Sequence, residues 1–186
     1  MTEKNVQTAI KKAIKRVQGE NPSLNFQVAH ERSIAHRLAV HMEGLFPKWN
    51  VDCEYDRDGQ LKKRLPGITQ CDEEKKTDAI FPDIIVHHRG SKGRNPNRNP
   101  NLLVIEMKKG AVEDDCDKRK LELFTRSGGY YHYQLGLYIN VAGGKFMCTW
   151  YKGGSRCPSS PTFATLDVVF SCSRLCIRGW CTLMDR

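Results

Sequence analysis

The chain has 186 residues, 39% hydrophobic and 27% charged, which suffices for one domain or one domain plus a tail and excludes a chain disordered throughout. No apolar run approaches the roughly 20 residues that span a bilayer, and the start MTEKNVQTAIKKAIKRVQ lacks the apolar stretch of a secretory signal; no membrane partner is expected, and a cytoplasmic location is. Thirty Lys and Arg against 21 Asp and Glu leave a net charge of +9, an excess that favours a polyanionic partner.

Residues 2–18 read as a basic amphipathic helix: Val6, Ala9, Ile10, Ala13, Ile14 and Val17 form its apolar stripe, with Lys11, Lys12, Lys15 and Arg16 on the other side. Gly19 ends it, and Pro22 resets the chain. A second helix is expected from about residue 25 to 46, stopping before Pro47. Trp49–Tyr55 alternates apolar with polar residues, as a half-buried strand does. Residues 56–77 are charged and turn-rich. Ala79–His88 and Leu102–Met107 are short apolar runs of the kind covered on both sheet faces, separated by the Gly, Asn, Pro and Arg-rich turn Arg89–Asn101. Residues 114–126 suit a helix with Leu121 and Phe124 facing inward. Leu135–Val141 and Lys145–Tyr151 read as a hairpin closed at Ala142-Gly143-Gly144.

Beyond Gly154 the texture changes to a Ser/Pro linker, a candidate strand at Leu166–Phe170, and a Cys- and Arg-rich end. The expected divisions are therefore 1–24, a basic helix and linker; 25–152, the core; and 153–186, a C-terminal extension. With no export signal, the eight cysteines are expected to be reduced thiols. Cys172, Cys176 and Cys181 lack the paired spacing of a zinc knuckle.

The two central apolar runs carry the chemistry. Folded as an antiparallel hairpin about residues 94 and 95, their paired residue numbers add to 189, which sets Asp83 opposite Glu106. Residues directly opposite share a face, with Cβ atoms about 5 Å apart. Lys108, two residues beyond Glu106, falls on that face too. Carboxylates so close repel unless a cation lies between them, and a hard divalent ion such as Mg²⁺ takes such oxygen ligands. The plainer alternative is a pair of charged strand ends, with Glu106 and Lys108 as a same-face ion pair. In the second helix, Val28, Ala35, Leu38, Met42 and Leu45 form the inward stripe and Glu31 interrupts it, a costly place for an unpaired carboxylate. Its alternative is an acid in the first turns, favoured by the helix dipole.

The ordered series Glu31, Pro82-Asp83 and Glu106-Met107-Lys108 resembles the PD-(D/E)XK nuclease superfamily over about residues 25–151, with FPDIIVHH, a polar turn and NLLVIEMKK similar to its core hairpin. The resemblance implies an α/β fold: a restriction-endonuclease-like small mixed sheet flanked by helices, here with a basic N-terminal helix and a Cys-rich C-terminal tail. It also implies metal-dependent phosphodiester hydrolysis. Asp83, Glu106 and the backbone carbonyl of Met107 would hold Mg²⁺, for which Mn²⁺ substitutes. Glu31 would reach the ion through water or bind a second one. Lys108 would orient or help deprotonate the attacking water, and a lowered pKa is expected of it. The implied partner is nucleic acid, DNA in first place, and a homodimer is compatible with the reading. A catalytically inactive nucleic-acid-binding or protein-interaction module on the same fold is the alternative, and a zinc-stabilised basic adaptor is a third reading.

Asp78 is a rival to Asp83 but lacks a hairpin partner. Gln134 to Tyr138 matches the QxxxY string of RecB-like members, yet runs into a strand rather than a helix, so Gln134 is at most an auxiliary. The basic turn Arg89–Arg98 lies roughly 20 Å from Asp83 along an extended strand. Tyr130, Tyr131 and Tyr133 suit packing as well as base stacking. His87 and His88 are adjacent and point to opposite faces.

Overall fold

Period-3.6 spacing of small and β-branched residues makes the first element a helix, α1 (Glu3–Glu20), and its entire apolar stripe from Val6 to Val17 is buried. In the computed structural model the chain is described over residues 1–20, 26, 28–58, 61–65, 68, 80–90, 99–110 and 114–158. Asp78, most of the basic turn, the 166–170 strand and Cys172, Cys176 and Cys181 lie outside the described residues.

The second helix, α2 (Glu31–Glu43), starts later than its periodicity predicts. His30 caps it, with Nδ1 accepting from the Arg32 amide at 3.3 Å, and Val28 is 74% exposed rather than part of the inward stripe. Ile34, Ala35, Leu38, Ala39 and Met42 are the buried side. Glu31 is therefore the first helical residue, not a mid-stripe acid.

The strands follow as β1 (Asn50–Cys53), β2 (Arg57–Asp58), β3 (Leu61–Lys62), β4 (Ile84–His87) and β5 (Asn101–Lys109). After α3 (Asp115–Thr125) come β6 (Leu135–Ala142), β7 (Lys145–Lys152) and β8 (Ser155–Arg156). Six of them form one mixed sheet in the order β1-β4-β5-β6-β7-β8, and β2 pairs with β3 apart from it. Only β5 and β6 run parallel within that sheet. Parallel neighbours need a long crossover, and α3 supplies it. The architecture is thus mixed α/β, with a six-stranded mixed sheet and three helices among the described residues. No helix among the described residues is long and apolar enough to cross a membrane.

The sheet divides the core in two. Ile84, Val86, Leu103, Ile105, Met107, Ile139 and Val141 pack with α1 and α2, which share this single core. Ile85, Val104 and Tyr138 face the other way, toward Leu121 and Phe124 of α3 and toward Tyr131, Tyr133 and Tyr151. Both faces of β5 are covered from Asn101 to Met107, which is why it reads as an unbroken apolar run instead of an alternating one. The expected hairpin is present: β6 and β7 are joined by Gly143 and Gly144 with φ of 57° and 78°, the paired left-handed conformations of a tight hairpin turn.

The approach of α3 to the sheet is set at Gly136. A Cβ there would meet Thr125 Cγ2 at 3.0 Å, Tyr151 Cβ at 3.2 Å and Leu121 Cδ2 at 3.3 Å. Gly136→Ala is expected to push α3 outward and destabilise the protein by about 1–3 kcal/mol, read as a lowered denaturant midpoint at unchanged slope.

Candidate functional site

Three consecutive pairs, Ile84 with Ile105, Ile85 with Val104 and Val86 with Leu103, have the register read from the sequence. A bulge between Val86 and His87 shifts it only at the far end. Continued by one residue past the start of β4, the register sets Asp83 opposite Glu106. At this point β4 has ended and β5 runs on, so the β5 edge that faced β4 is open. An N–H left there must find another acceptor.

Carboxylates supply it. Asp83 Oδ2 accepts from the Met107 amide at 2.6 Å, and Glu31 Oε2 accepts from the Lys109 amide at 2.9 Å. Backbone groups of alternate strand residues point to the same edge, and a residue's C=O points with its own N–H. The Met107 carbonyl therefore lies on this edge, between the two carboxylates. The Lys109 side chain goes to the opposite sheet face, its Nζ donating to the Ala29 carbonyl at 2.9 Å just ahead of α2.

Glu106 points to the α3 face and is 3% exposed. Its Oε1 has no hydrogen-bond partner. Burial, then the nearby Asp83 charge, raises its pKa well above the ordinary carboxylate range. Asp83 is raised to about 7, chiefly by desolvation, with Glu31 and Asp117 adding to the shift against the Met107 hydrogen bond. Two facing carboxyl groups, Asp83 just ahead of β4 and Glu106 on β5, thus resist ionising together, and Glu106 presents an unsatisfied oxygen. Among the described residues no group of three His, Cys, Asp or Glu side chains gathers to hold a metal ion. Two carboxyl groups and a backbone carbonyl nevertheless make an oxygen-only donor set that suits Mg²⁺ or Mn²⁺, and the orphaned Glu106 Oε1 is the atom such an ion would satisfy.

Lys108 lies on the same face, but its ammonium does not pair with Glu106. It meets Asp114 Oδ2 at 3.0 Å and Asp117 Oδ2 at 3.7 Å. Desolvation pulls the lysine pKa down, yet the Asp114 hydrogen bond and the Asp117 and Asp114 charges outweigh it, and the pKa is raised. The expectation of a lowered pKa is corrected accordingly: this lysine is held as a cation. Asp117, 5% exposed, also takes Lys120 Nζ at 2.8 Å. Asp114 caps α3 by accepting from the Cys116 and Asp117 amides, and its own N–H donates to Tyr138 Oη at 3.1 Å. Sequence reasoning missed Asp114 and Asp117. The signal was available, since Asp117 stands four residues before Leu121 and seven before Phe124, on the inward side of the helix.

The remaining candidates have structural explanations. Gln134 donates its backbone N–H to the Asn101 carbonyl at the start of β6, so the QxxxY string is on a strand. Tyr131 and Tyr133 pack on Phe124, while Tyr130 is half exposed. His87 is buried with Nε2 2.8 Å from Asp52, and His88 stacks on Trp49 with ring centroids 4.1 Å apart. Arg89, the described end of the basic turn, is engaged by Asp52. Cys53 and Cys148 are free thiols, whereas Cys116 is disulfide-bonded, against the expectation of uniformly reduced cysteines.

The raised Asp83 pKa has a signature in stability. Between the ordinary value of 3.8 and about 7, the folded protein keeps a proton that the unfolded chain has released. Its contribution is therefore full at the acid end and is lost as pH rises through that window. In metal-free buffer, Asp83→Asn is expected to match wild type near pH 4 and exceed it at pH 8 by on the order of 3 kcal/mol. Parallel pH profiles of melting temperature check this; indistinguishable profiles would contradict the electrostatic account.

Compared with protein-family models and with curated proteins, the chain matches none. The functional reading rests on the geometry at the end of β5 and on the residues that build it.

Proposed function

We propose that the protein is a Mg²⁺-dependent nuclease of restriction-endonuclease-like fold that hydrolyses phosphodiester bonds, with DNA the favoured substrate. One observation carries the reading: Asp83 and Glu106, both resisting ionisation, converge on a strand edge where the Met107 carbonyl is also presented. Support comes from the order in which the chain delivers the parts: a helical Glu31, Pro82-Asp83 ahead of one strand, Glu106-Met107-Lys108 on the next, then a helix. The +9 charge favours a polyanionic substrate.

Asp83, Glu106 and the Met107 carbonyl would hold the ion, and Glu31, anchored on the Lys109 amide, would reach it through water. When bound, Mg²⁺ supplies neutralisation of phosphate charge and acidification of a water molecule. Lys108 remains protonated and acts by donation: it orients the attacking water or a non-bridging phosphate oxygen. Asp114 and Asp117 keep its ammonium in place, so it is a positioned cation rather than a general base. Water oxygen attacks phosphorus and releases a proton to solvent, the bond to the leaving oxygen breaks, and the displaced oxygen takes up a proton from solvent, so that none is gained or lost overall.

The same Lys108 contacts favour a second reading, a catalytically inactive nucleic-acid-binding module. An ammonium already shared by two carboxylates serves such a module as a structural tie. The two readings separate on substitution. Lys108→Ala is expected to lower Mg²⁺-dependent cleavage of labelled nucleic acid by at least about a hundredfold, while binding in Ca²⁺ persists. Lys109→Ala, whose side chain serves the opposite face, is expected to keep most of the activity. Absence of cleavage by the wild type on single- and double-stranded DNA and RNA, with Mg²⁺ or Mn²⁺, would favour the module.

A further inference from the structure

A run of unbalanced charge lies outside the site, on α1. From Lys4 to Gly19 the helix carries no acid. Lys12, Lys15 and Arg16 are exposed and have no acidic partner among the described residues. Glu3, the acid ahead of this run, is already taken by Lys152 at 2.8 Å. Lys12 stands three residues before Lys15 and four before Arg16, so like charges crowd one turn, an arrangement that weakens a helix. Packing has no need of them, because Val6, Ile10, Ile14 and Val17 on the other side are fully buried.

Two contacts fix how α1 lies on the sheet. Lys152 at the end of β7 holds Glu3, and the Gly144 carbonyl in the β6–β7 turn accepts from Gln18 Nε2 at 3.2 Å. α1 therefore runs antiparallel to β7 and ends at that turn. The turn belongs to the end of the sheet that carries the site: Val141 pairs with Lys109, and its carbonyl accepts from the Gly110 amide at 3.1 Å. α2, in the same layer as α1, begins at this end too, where Glu31 takes the Lys109 amide and Lys109 Nζ reaches Ala29. Lys12, Lys15 and Arg16, in the second half of α1, thus lie toward the site. Two strand spacings, one layer and a helical turn place them on the order of 20 Å from the open β5 edge. Along a duplex that distance corresponds to about six nucleotides.

A basic amphipathic helix can also lie on a membrane, but it does so by burying its apolar face in lipid. Here that face is part of the protein core, and only the cations are presented. We propose that Lys12, Lys15 and Arg16 form a phosphate-binding surface that holds the nucleic-acid backbone a few nucleotides from the cleaved bond. This deepens the nuclease reading and rests on its substrate class, not on the ion or on Lys108. The surface contributes affinity by releasing counterions and reads no base.

Binding of labelled DNA to the full chain in Ca²⁺, titrated over NaCl, tests this. Lys12→Gln/Lys15→Gln/Arg16→Gln is compared with Lys48→Gln/Arg126→Gln/Arg156→Gln. The second variant removes equal charge from exposed residues at the far end of the sheet, ahead of β1, after α3 and on β8. The α1 variant is expected to bind at least about tenfold more weakly at low salt, with the slope of log affinity against log salt reduced by about two to three. The far-end variant is expected to stay within about twofold of wild type. Glutamine is a good helix former, so the α1 variant is expected to keep its melting temperature. Arg16→Gln alone, with a slope reduced by about one, gives the same reading should the triple variant not fold. Equal losses in both triple variants would reduce the effect to net charge and overturn the proposal, as would wild-type binding in the α1 variant or no binding by the wild type. Capture of the wild type by phosphatidylserine vesicles, lost in the α1 variant while DNA binding persists, would assign the face to a membrane and also overturn it. A wild type that binds DNA through α1 yet cleaves nothing with Mg²⁺ or Mn²⁺ would leave this surface standing and overturn the nuclease reading. A wild type that cleaves, with binding unchanged in the α1 variant, would do the reverse.

Discussion

The open edge of β5 governs the rest of the site. Sheet strands satisfy their backbone groups through neighbours, and β4 stops while β5 still has residues to run. The amides of Met107 and Lys109 are left facing an absent partner, and the chain answers with side-chain carboxylates, Asp83 from the approach to β4 and Glu31 from the first turn of α2. Hydrogen bonding to backbone draws these acids to within reach of each other. Burial then makes the charge of Asp83, and of Glu106 beside it, unwelcome. Both effects come from one cause, a pair of strands of unequal length, and the chemistry proposed for the site is what relieves the second effect.

The lengths differ because the layers differ. β5 is covered over most of its length by α1 and α2 on one side and by α3 with its tyrosine cluster on the other. β4, four residues long, joins β5 to β1. Where cover ends, Lys108 and Lys109 emerge, and they go to opposite layers: Lys108 to the capped start of α3, Lys109 to the residue ahead of α2. The close contact at Gly136 keeps α3 low enough on the sheet for Asp114 and Asp117 to reach Lys108.

Sequence alone conveyed the hairpin register, since two apolar strands with defined inner faces tolerate only one alignment without exposing a whole row of side chains. It conveyed α1, α3 and the glycine turn between β6 and β7 for similar reasons of period and turn chemistry. The start of α2 was not legible: Val28 fits the helical period by spacing, yet it lies before a histidine cap that carries no strong signal of its own. With that start misplaced, Glu31 read as an intrusion into an apolar stripe, when its position is a first-turn acid bound to a strand amide. The protonation of Lys108 was beyond reach for a different reason. It depends on two aspartates in the next helix, and only the height of α3 above the sheet decides whether they attract the ammonium or miss it.

The alternation of Lys108 and Lys109 makes β5 a parity device. Each residue step along a strand reverses the layer a side chain addresses, so one inserted or deleted residue after Glu106 would exchange the two lysines at a stroke. The cation now beside Asp114 would be delivered to α2, and the tether of α2 to α3, with no change in net charge. The edge amides would reverse as well, turning the groups that anchor Asp83 and Glu31 toward β6. Changes of length are therefore expected to be tolerated between β4 and β5, where added residues leave every strand face as it was.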